Sequence, residues 1–230
     1  MEKSFNNRLK KICNLKNNRL CIGLDIDPAK INKDIQSDFS SIIDFTKDIV
    51  DATVDSCPVY KLNLAFYECY GSKGYDWMGK IVEHIDDRSI TIADGKRGDI
   101  GNTAKKYADS LFNHFGFDSV TLSPYMGIDS ILPFIEHKSK GSFVLCLTSN
   151  KGANDFQYNI SNGEPLFISV ANFCKYLNEK NNLGIVVGAT KPESMNQISD
   201  NSKDLSWLIP GIGAQGGDLE SSIKISNKNG

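Results

Sequence analysis

The 230-residue sequence has no long apolar segment and no excess of basic residues. No apolar run reaches the roughly 18 residues that a membrane-spanning helix needs, so the sequence predicts no membrane partner. Lysine and arginine number 26 against 28 acidic residues, and this balance gives no support for a nucleic-acid partner. Hydrophobic residues make up 40% and charged residues 23%, which predicts a folded chain and disfavours disorder.

Metal-binding and disulfide patterns are also missing. The six cysteines include no C-x-x-C pair, and the chain has only three histidines. Because zinc sites need clustered ligands of these types, we expect no metal site. The cysteine spacing instead favours reduced thiols in a cytoplasmic protein.

The first 20 residues are basic, with six lysines and arginines against one glutamate. A transit peptide is one interpretation of this segment. Phe5, Leu9, Ile12 and Cys13 recur at helical spacing, however, and favour an ordinary amphipathic first helix. The apolar core of a secretory signal is missing.

Short apolar runs alternate with helical stretches along the chain. The runs are continuous rather than alternating in polarity, which is typical of parallel strands buried on both faces. Their period of about 31 residues suits a βα unit. We therefore predict an α/β fold, specifically a (β/α)8 TIM barrel, over a doubly wound sheet, because the first turn carries no G-x-G-x-x-G. The predicted strands are 20–24, 59–64, 89–93, 119–122, 143–147, 184–187 and 207–209.

The intervening segments complete seven βα units within residues 1–230, which we interpret as a single domain. At this period an eighth strand would begin beyond the last residue, so we expect a barrel whose last strand and helix are missing from the chain. The polar segment 149–165 after the fifth strand is a candidate lid or specificity loop. The predicted helices are 41–54, 76–84, 103–115, 129–135, 166–177 and 192–198.

Charged residues gather where the predicted strands end, which is where barrels place their active sites. Asp94 and Lys96 lie two positions apart on the third strand, so both side chains can face the barrel mouth. Lys61 interrupts the apolar second strand, Asp25 ends the first, and Asp99 follows the third. Opposite charges this close in a cleft hold one another in place and shift pKa values, so we favour a catalytic cluster over a surface ion-pair patch.

A glycine-rich segment, 211–217, follows the seventh strand. Phosphate sites of barrel enzymes usually lie in the loops after strands seven and eight, and glycines leave backbone N–H groups free to bind an anion. A plain flexible loop is the alternative interpretation.

The segment ADGKRGDIGNT at 93–103 resembles orotidine 5'-phosphate decarboxylase, in the longer bacterial and protozoan-type subfamily with its D-x-K-R-G-D-I-G-x-T motif. Four further segments agree with this resemblance, in order along the chain. They are GLDIDP at 23–28, KLNLAFYE at 61–68, VGAT at 187–190 and IPGIGAQGG at 209–217.

The resemblance implies decarboxylation of orotidine 5'-monophosphate to uridine 5'-monophosphate in pyrimidine biosynthesis. It implies that Lys96 protonates C6 of the pyrimidine, that Asp94 lies beside the substrate carboxylate, and that Lys61 and Asp99 complete a charged tetrad. Asp99 would come from the partner subunit of a homodimer. The family uses no metal and no organic cofactor.

The resemblance also implies a set of substrate contacts. One residue would bind a ribose hydroxyl, one the pyrimidine and one the phosphate, and two would reach across from the partner subunit with Asp99. Asp25 would bind the ribose, Ser149 the pyrimidine and Gln215 the phosphate. Thr103 and Ile100 would come from the partner subunit, and Pro210 belongs to the same binding set.

Two alternatives remain. The related magnesium-dependent 3-keto-gulonate 6-phosphate decarboxylases share D-x-K-x-x-D but carry an acidic metal-binding residue where this chain has Lys61, which would repel a cation. The family's phosphate-binding arginine, in an N-x-S-R-G segment on strand eight, has no counterpart in this sequence. The chain could therefore be an inactive or weakly active nucleotide-binding fragment of such an enzyme.

Overall fold

Seven strands form one parallel sheet in the computed structural model, which describes residues 4–36, 38–161, 163–189, 191–212 and 217–227. The strand order is β1-β2-β3-β4-β5-β8-β9, and within the described residues β1 and β9 are the two edges. A separate antiparallel pair, β6–β7, lies inside the loop after β5. The strands are β1 Cys21–Gly23, β2 Val59–Asn63, β3 Ile90–Arg97, β4 Ser119–Leu122, β5 Gly141–Leu147, β6 Ile160–Ser161, β7 Glu164–Pro165, β8 Leu183–Val187 and β9 Ser206–Leu208.

Helices connect successive strands, so the predicted α/β class and the seven parallel strands are confirmed. Three helices were not predicted: the short α2 and α4, and α10 after β9. Helix α4 follows directly on the strand predicted at 59–64, and its four residues are too few to show a helical period. The helices are α1 Phe5–Leu15, α2 Lys33–Gln36, α3 Phe39–Thr53, α4 Ala65–Glu68, α5 Ser72–Ile85, α6 Gly101–Asp109, α7 Leu132–Ile135, α8 Leu166–Leu177, α9 Pro192–Asn201 and α10 Leu219–Ser226.

Two predicted helices are shorter than expected. The helix predicted at 103–115 ends as α6 at Asp109, and a π-helical turn continues it over Ser110–His114. The helix predicted at 129–135 is a 3-10 turn, Ile128–Ser130, followed by α7. No described helix is both long and apolar enough to cross a membrane.

The inner face of the sheet carries an apolar layer with charged residues above it. Lys61 follows the inward-facing Val59 by two positions, and Asp94 follows Ile92 in the same way, so each charged side chain shares the face of its apolar neighbour. The apolar layer therefore supports the charged one from below. Its buried members are Phe5, Val59, Ile90, Ile92, Phe143 and Val186.

Helix α1 lies across the N-terminal ends of the strands and covers this apolar layer, as its predicted amphipathic pattern requires. Arg8 forms an ion pair with Asp118, just before β4, at 2.7 Å. The Lys16 ammonium donates to the Cys57 carbonyl before β2 at 2.9 Å and to the Ser89 hydroxyl before β3 at 2.8 Å. Arg8 and Lys16 thus bind oxygen atoms at the end of the sheet opposite the charged layer.

The main core fills the space between the sheet and the surrounding helices. Trp77 of α5 is fully buried, and its ring lies 4.5 Å from that of Tyr67 in α4 and 5.7 Å from that of Phe39 in α3. Its Nε1 donates to the Thr46 hydroxyl at 3.2 Å, which satisfies the one polar atom of the indole. This packing fixes α4 directly behind the end of β2.

Two glycines of α5 offer a matched test of this packing. A Cβ on Gly74 would lie 1.8 Å from the Tyr67 carbonyl oxygen, whereas a Cβ on Gly79 would meet nothing closer than Phe115 at 3.8 Å. We expect Gly74→Ala to lower the free energy of unfolding by about 1–3 kcal/mol because α4 and α5 must separate. Gly79→Ala should raise it by about 0.5–1 kcal/mol through helix propensity.

Urea unfolding of the two variants, compared with the unsubstituted chain, measures both changes. Equal stability of the two variants would contradict the close approach of α4 and α5.

Candidate active site

Three charged side chains from two adjacent strands meet at the C-terminal end of the sheet. The Asp94 carboxylate lies between two ammoniums, with Oδ1 2.6 Å from Lys96 Nζ and Oδ2 3.2 Å from Lys61 Nζ. Lys61 Nζ also lies 3.4 Å from Asp25 Oδ2, which follows β1. The predicted cluster of Asp25, Lys61, Asp94 and Lys96 is therefore assembled within one chain.

Thr121 of β4 completes the surroundings of Asp94. Its hydroxyl donates to Asp94 Oδ1 at 2.9 Å and accepts the backbone N–H of Lys96, also at 2.9 Å. Sequence reasoning missed this residue, although a signal was present. In β4 the polar Ser119 and Thr121 alternate with apolar residues, so both lie on the same face of the strand.

Mutual charge stabilisation outweighs burial in this cluster. Asp94 has only 11% of its side chain exposed. Burial alone would raise the pKa of the Asp94 carboxyl, but Lys61, Lys96 and the Thr121 hydroxyl outweigh that effect and lower the pKa. Burial alone would lower the pKa of Lys61, yet the carboxylates of Asp94 and Asp25 outweigh it and raise the pKa. Ionised Asp94 and Lys61 therefore stabilise each other.

An irregularity in β3 aims Lys96 at Asp94. Ala93 pairs with Val120 of β4, and the next pair is Arg97 with Leu122. An advance of four residues along β3 therefore matches an advance of only two along β4. Lys96 has a backbone φ of 46°, in the left-handed region that non-glycine residues rarely adopt. The two side chains therefore meet through a local bulge, and the regular strand alternation used in the prediction is not what brings them together.

Asp25 is held by the end of β2 as well as by Lys61. Its Oδ1 accepts the backbone N–H of Asn63 at 3.1 Å. Asp27, the other acidic residue of this turn, is directed elsewhere. It accepts the Ala29 N–H at 3.1 Å and pairs with Lys30 at 3.4 Å, so it caps a short helical turn.

Ser149, after β5, and Pro210, after β9, both lie against the segment Gly188–Ala189 that follows β8. A Cβ on Gly188 would lie only 2.8 Å from the Ser149 backbone nitrogen, so glycine is needed for this approach. The next residue, Ala189, donates its N–H to the Pro210 carbonyl at 3.1 Å. Gln215, the predicted phosphate ligand, lies outside the described residues.

The predicted loop after β5 carries local structure. A 3-10 turn spans Lys151–Asp155, and the β6–β7 pair follows it. Gln157 anchors the loop, since its Oε1 accepts the Thr148 N–H and its Nε2 donates to the Thr148 hydroxyl, both at 2.8 Å. Phe156 is 63% exposed at the surface of the loop. The loop thus stands at the active-site end of the sheet, where a lid is expected to lie.

Three predicted site residues are not part of the cluster. Asp99 accepts the N–H of its neighbour Ile100 at 2.8 Å and has no ion pair within the described part of the chain. Ile100 is 51% exposed, and Thr103 lies exposed in the first turn of α6. Within the described part of the chain, none of the three forms a hydrogen bond or an ion pair with Asp94, Lys61 or Lys96.

The donor set does not resemble a metal centre. Among the described residues, no group of three or more histidine, cysteine or acidic side chains is arranged to hold a metal ion. The two ammoniums that flank Asp94 occupy the positions at which a cation would approach its carboxylate. What the arrangement offers is a half-exposed lysine ammonium held in place by a largely buried carboxylate.

Comparison with known proteins agrees with this geometry. The profile of the orotidine 5'-phosphate decarboxylase / HUMPS family matches residues 18–224. Orotidine 5'-phosphate decarboxylase of Dehalococcoides mccartyi strain CBDB1 is 43% identical over 231 aligned positions, covering 98% of this chain and 84% of that relative.

Two solved structures from Leishmania donovani share the fold. OMP decarboxylase superposes with a TM-score of 0.84 at 33% identity, covering 99% of this chain and 84% of that one. UMP synthase superposes with a TM-score of 0.88 at 35% identity, covering 97% of this chain and 48% of that one. With its parallel sheet, its Asp94-centred cluster and this profile match, the chain belongs to the orotidine 5'-phosphate decarboxylase / HUMPS family.

Proposed function

We propose that the chain decarboxylates orotidine 5'-monophosphate to uridine 5'-monophosphate in pyrimidine biosynthesis, with Lys96 as the proton donor. The observation that carries the proposal is the Lys96 ammonium, which is held 2.6 Å from the buried Asp94 carboxylate at the end of the sheet. The family membership and the relatives of the same name support the choice of reaction.

The reaction needs a positive charge where a negative charge develops. When the bond between C6 and the carboxylate carbon breaks, CO2 leaves and the electron pair stays on C6. The Lys96 ammonium stabilises that carbanion electrostatically and then transfers a proton from Nζ to C6. The Lys96 side chain is 48% exposed, so solvent can return the proton after product leaves.

Asp94 has two roles in this proposal. It fixes the Lys96 ammonium by a direct contact, and it presents a negative charge beside the substrate carboxylate that must leave. Lys61 keeps Asp94 ionised from the other side, as the lowered pKa of Asp94 requires. Protonation of Asp94 would therefore weaken the hold on Lys96.

We assign substrate contacts to the surrounding strand ends. Asp25 would bind a ribose hydroxyl, because its carboxylate lies beside Lys61 and is 32% exposed. Ser149 would contact the pyrimidine and Pro210 would line the site, since both meet at Gly188–Ala189. Gln215 would bind the phosphate from the glycine-rich segment.

We further propose a homodimer in which each chain completes the other's site. Asp99, Ile100 and Thr103 would reach the partner's cluster, which fits the exposure of Ile100 and the lack of an ion pair at Asp99 among the described residues. Tyr125 and Met126, after β4, are 86% and 46% exposed and would extend the apolar contact. All six cysteines are free, which supports a cytoplasmic location.

Replacing Lys96 tests the proton donor. Lys96→Ala should lower kcat by about 10²–10⁴-fold, because the variant lacks the general acid and the charge that stabilises the carbanion. The loss of orotidylate absorbance measures turnover. Lys106→Ala, an exposed lysine of α6 with its ammonium 3.9 Å from Asp109, serves as the matched control and should keep its activity. Unchanged turnover in Lys96→Ala would contradict the assigned role.

Chelation distinguishes this reaction from the magnesium-dependent sugar-phosphate decarboxylation of related enzymes. Because Lys61 and Lys96 flank Asp94, we expect turnover of orotidine 5'-monophosphate to be unchanged after treatment with excess EDTA. The control adds magnesium back to the treated enzyme. Activity that is lost with EDTA and restored by magnesium would instead favour the metal-dependent branch.

A further inference from the structure

Arg97, directly after Lys96, joins the two helices that follow β2 and β3. Its guanidinium forms an ion pair with Glu68 in α4 and lies 5.1 Å from the centre of the Tyr107 ring in α6. Helix α4 begins two residues after β2, the strand that carries Lys61. The Arg97 side chain therefore connects α4, which follows the strand of Lys61, with α6, which follows the strand of Lys96.

The backbone beside Arg97 requires such support. Lys96 adopts the left-handed conformation that non-glycine residues disfavour, and strained backbone persists only where surrounding contacts hold it. Two hydrogen bonds act from the β4 side: Lys96 N–H donates to the Thr121 hydroxyl at 2.9 Å, and Ser123 N–H donates to the Arg97 carbonyl at 2.8 Å. The Arg97 side chain supplies the restraint from the helix side.

The surroundings of Arg97 suit a fixed guanidinium. The Arg97 and Glu68 side chains are 23% and 32% exposed, so their ion pair is partly shielded from solvent. Arg97 Nε is buried without a hydrogen-bond partner among the described residues. The pairing with Glu68 and the contact with the Tyr107 ring both use the planar guanidinium, which a lysine ammonium does not reproduce.

We propose that Arg97 is a positioning residue that holds the Lys96 bulge and so keeps the ammonium against Asp94. This inference rests on the proposed decarboxylation. Within the described residues, the Arg97 side chain pairs with Glu68 and Tyr107 and forms no ion pair with Asp94, so it acts through the backbone of its neighbour. Its loss should therefore reduce kcat more than it changes KM.

Two substitutions test the proposal. Arg97→Ala should lower kcat by about 10- to 100-fold with KM changed less than about threefold, because displacement of a catalytic group by an ångström has effects of this size. Guanidinium ion, added below denaturing concentrations, should restore part of the lost kcat. Glu68→Gln removes only the charge of the partner and should lower kcat in the same direction, which keeps the test valid if Arg97→Ala folds poorly.

Arg8→Ala is the matched control. Arg8 also forms a partly buried ion pair, with Asp118, but at the opposite end of the sheet. It should lower the melting temperature without changing kcat, and guanidinium ion should have no effect on its turnover. A folded Arg97→Ala variant with the original kcat, or with a raised KM alone, would overturn the proposal.

Hydrogen exchange gives a readout that does not depend on turnover. Arg97→Ala should speed exchange of the Lys96 amide by about tenfold, whereas Arg8→Ala should leave that amide unchanged. If the unsubstituted chain fails to decarboxylate orotidine 5'-monophosphate, the proposed function is wrong and exchange alone decides the role of Arg97. Unchanged exchange in Arg97→Ala would contradict positioning in either case.

Discussion

The contact of one buried carboxylate with two ammoniums governs the candidate site. Asp94 meets Lys61 with one oxygen and Lys96 with the other. Burial acts against the ionised form of both Lys61 and Asp94, and for each the other is the strongest charge that opposes this effect. The ionised state of each group therefore depends on that of its partner, and the position of Lys96 depends on Asp94.

The fold provides this contact through ordinary features of a parallel sheet. Val59 and Ile92 build an apolar layer that α1 covers from the N-terminal side, and the residues two positions later carry the charges. This layer keeps water from reaching the cluster from below. The loop after β5 stands at the opposite end of the sheet from α1, on the same side as the cluster. The regular part of the sheet thus positions the irregular segment of β3, the bulge at Lys96.

Local patterns predicted the strands and the charged cluster well, because apolar periodicity and strand-end position are properties of short segments. They failed where distant residues decide the structure. The bulge at Lys96 depends on the Thr121 hydroxyl from β4, and nothing in the sequence around position 96 indicates a left-handed conformation there. Helix α4 was missed because its four residues are too few to show a helical period. The predicted role of Asp99 would need a second chain, and it stays a prediction.

Titration of Asp94 tests the central claim most directly. The carboxyl carbon chemical shift, followed by NMR, should report a pKa below the ordinary value of about 3.9. Because this pKa is lowered in the folded chain, the stabilisation it gives is present at neutral pH and is lost as pH falls through the folded value. Lys61→Gln should raise the pKa of Asp94, whereas Lys106→Gln should not. An Asp94 pKa at or above its ordinary value, or one unchanged by Lys61→Gln, would contradict the account.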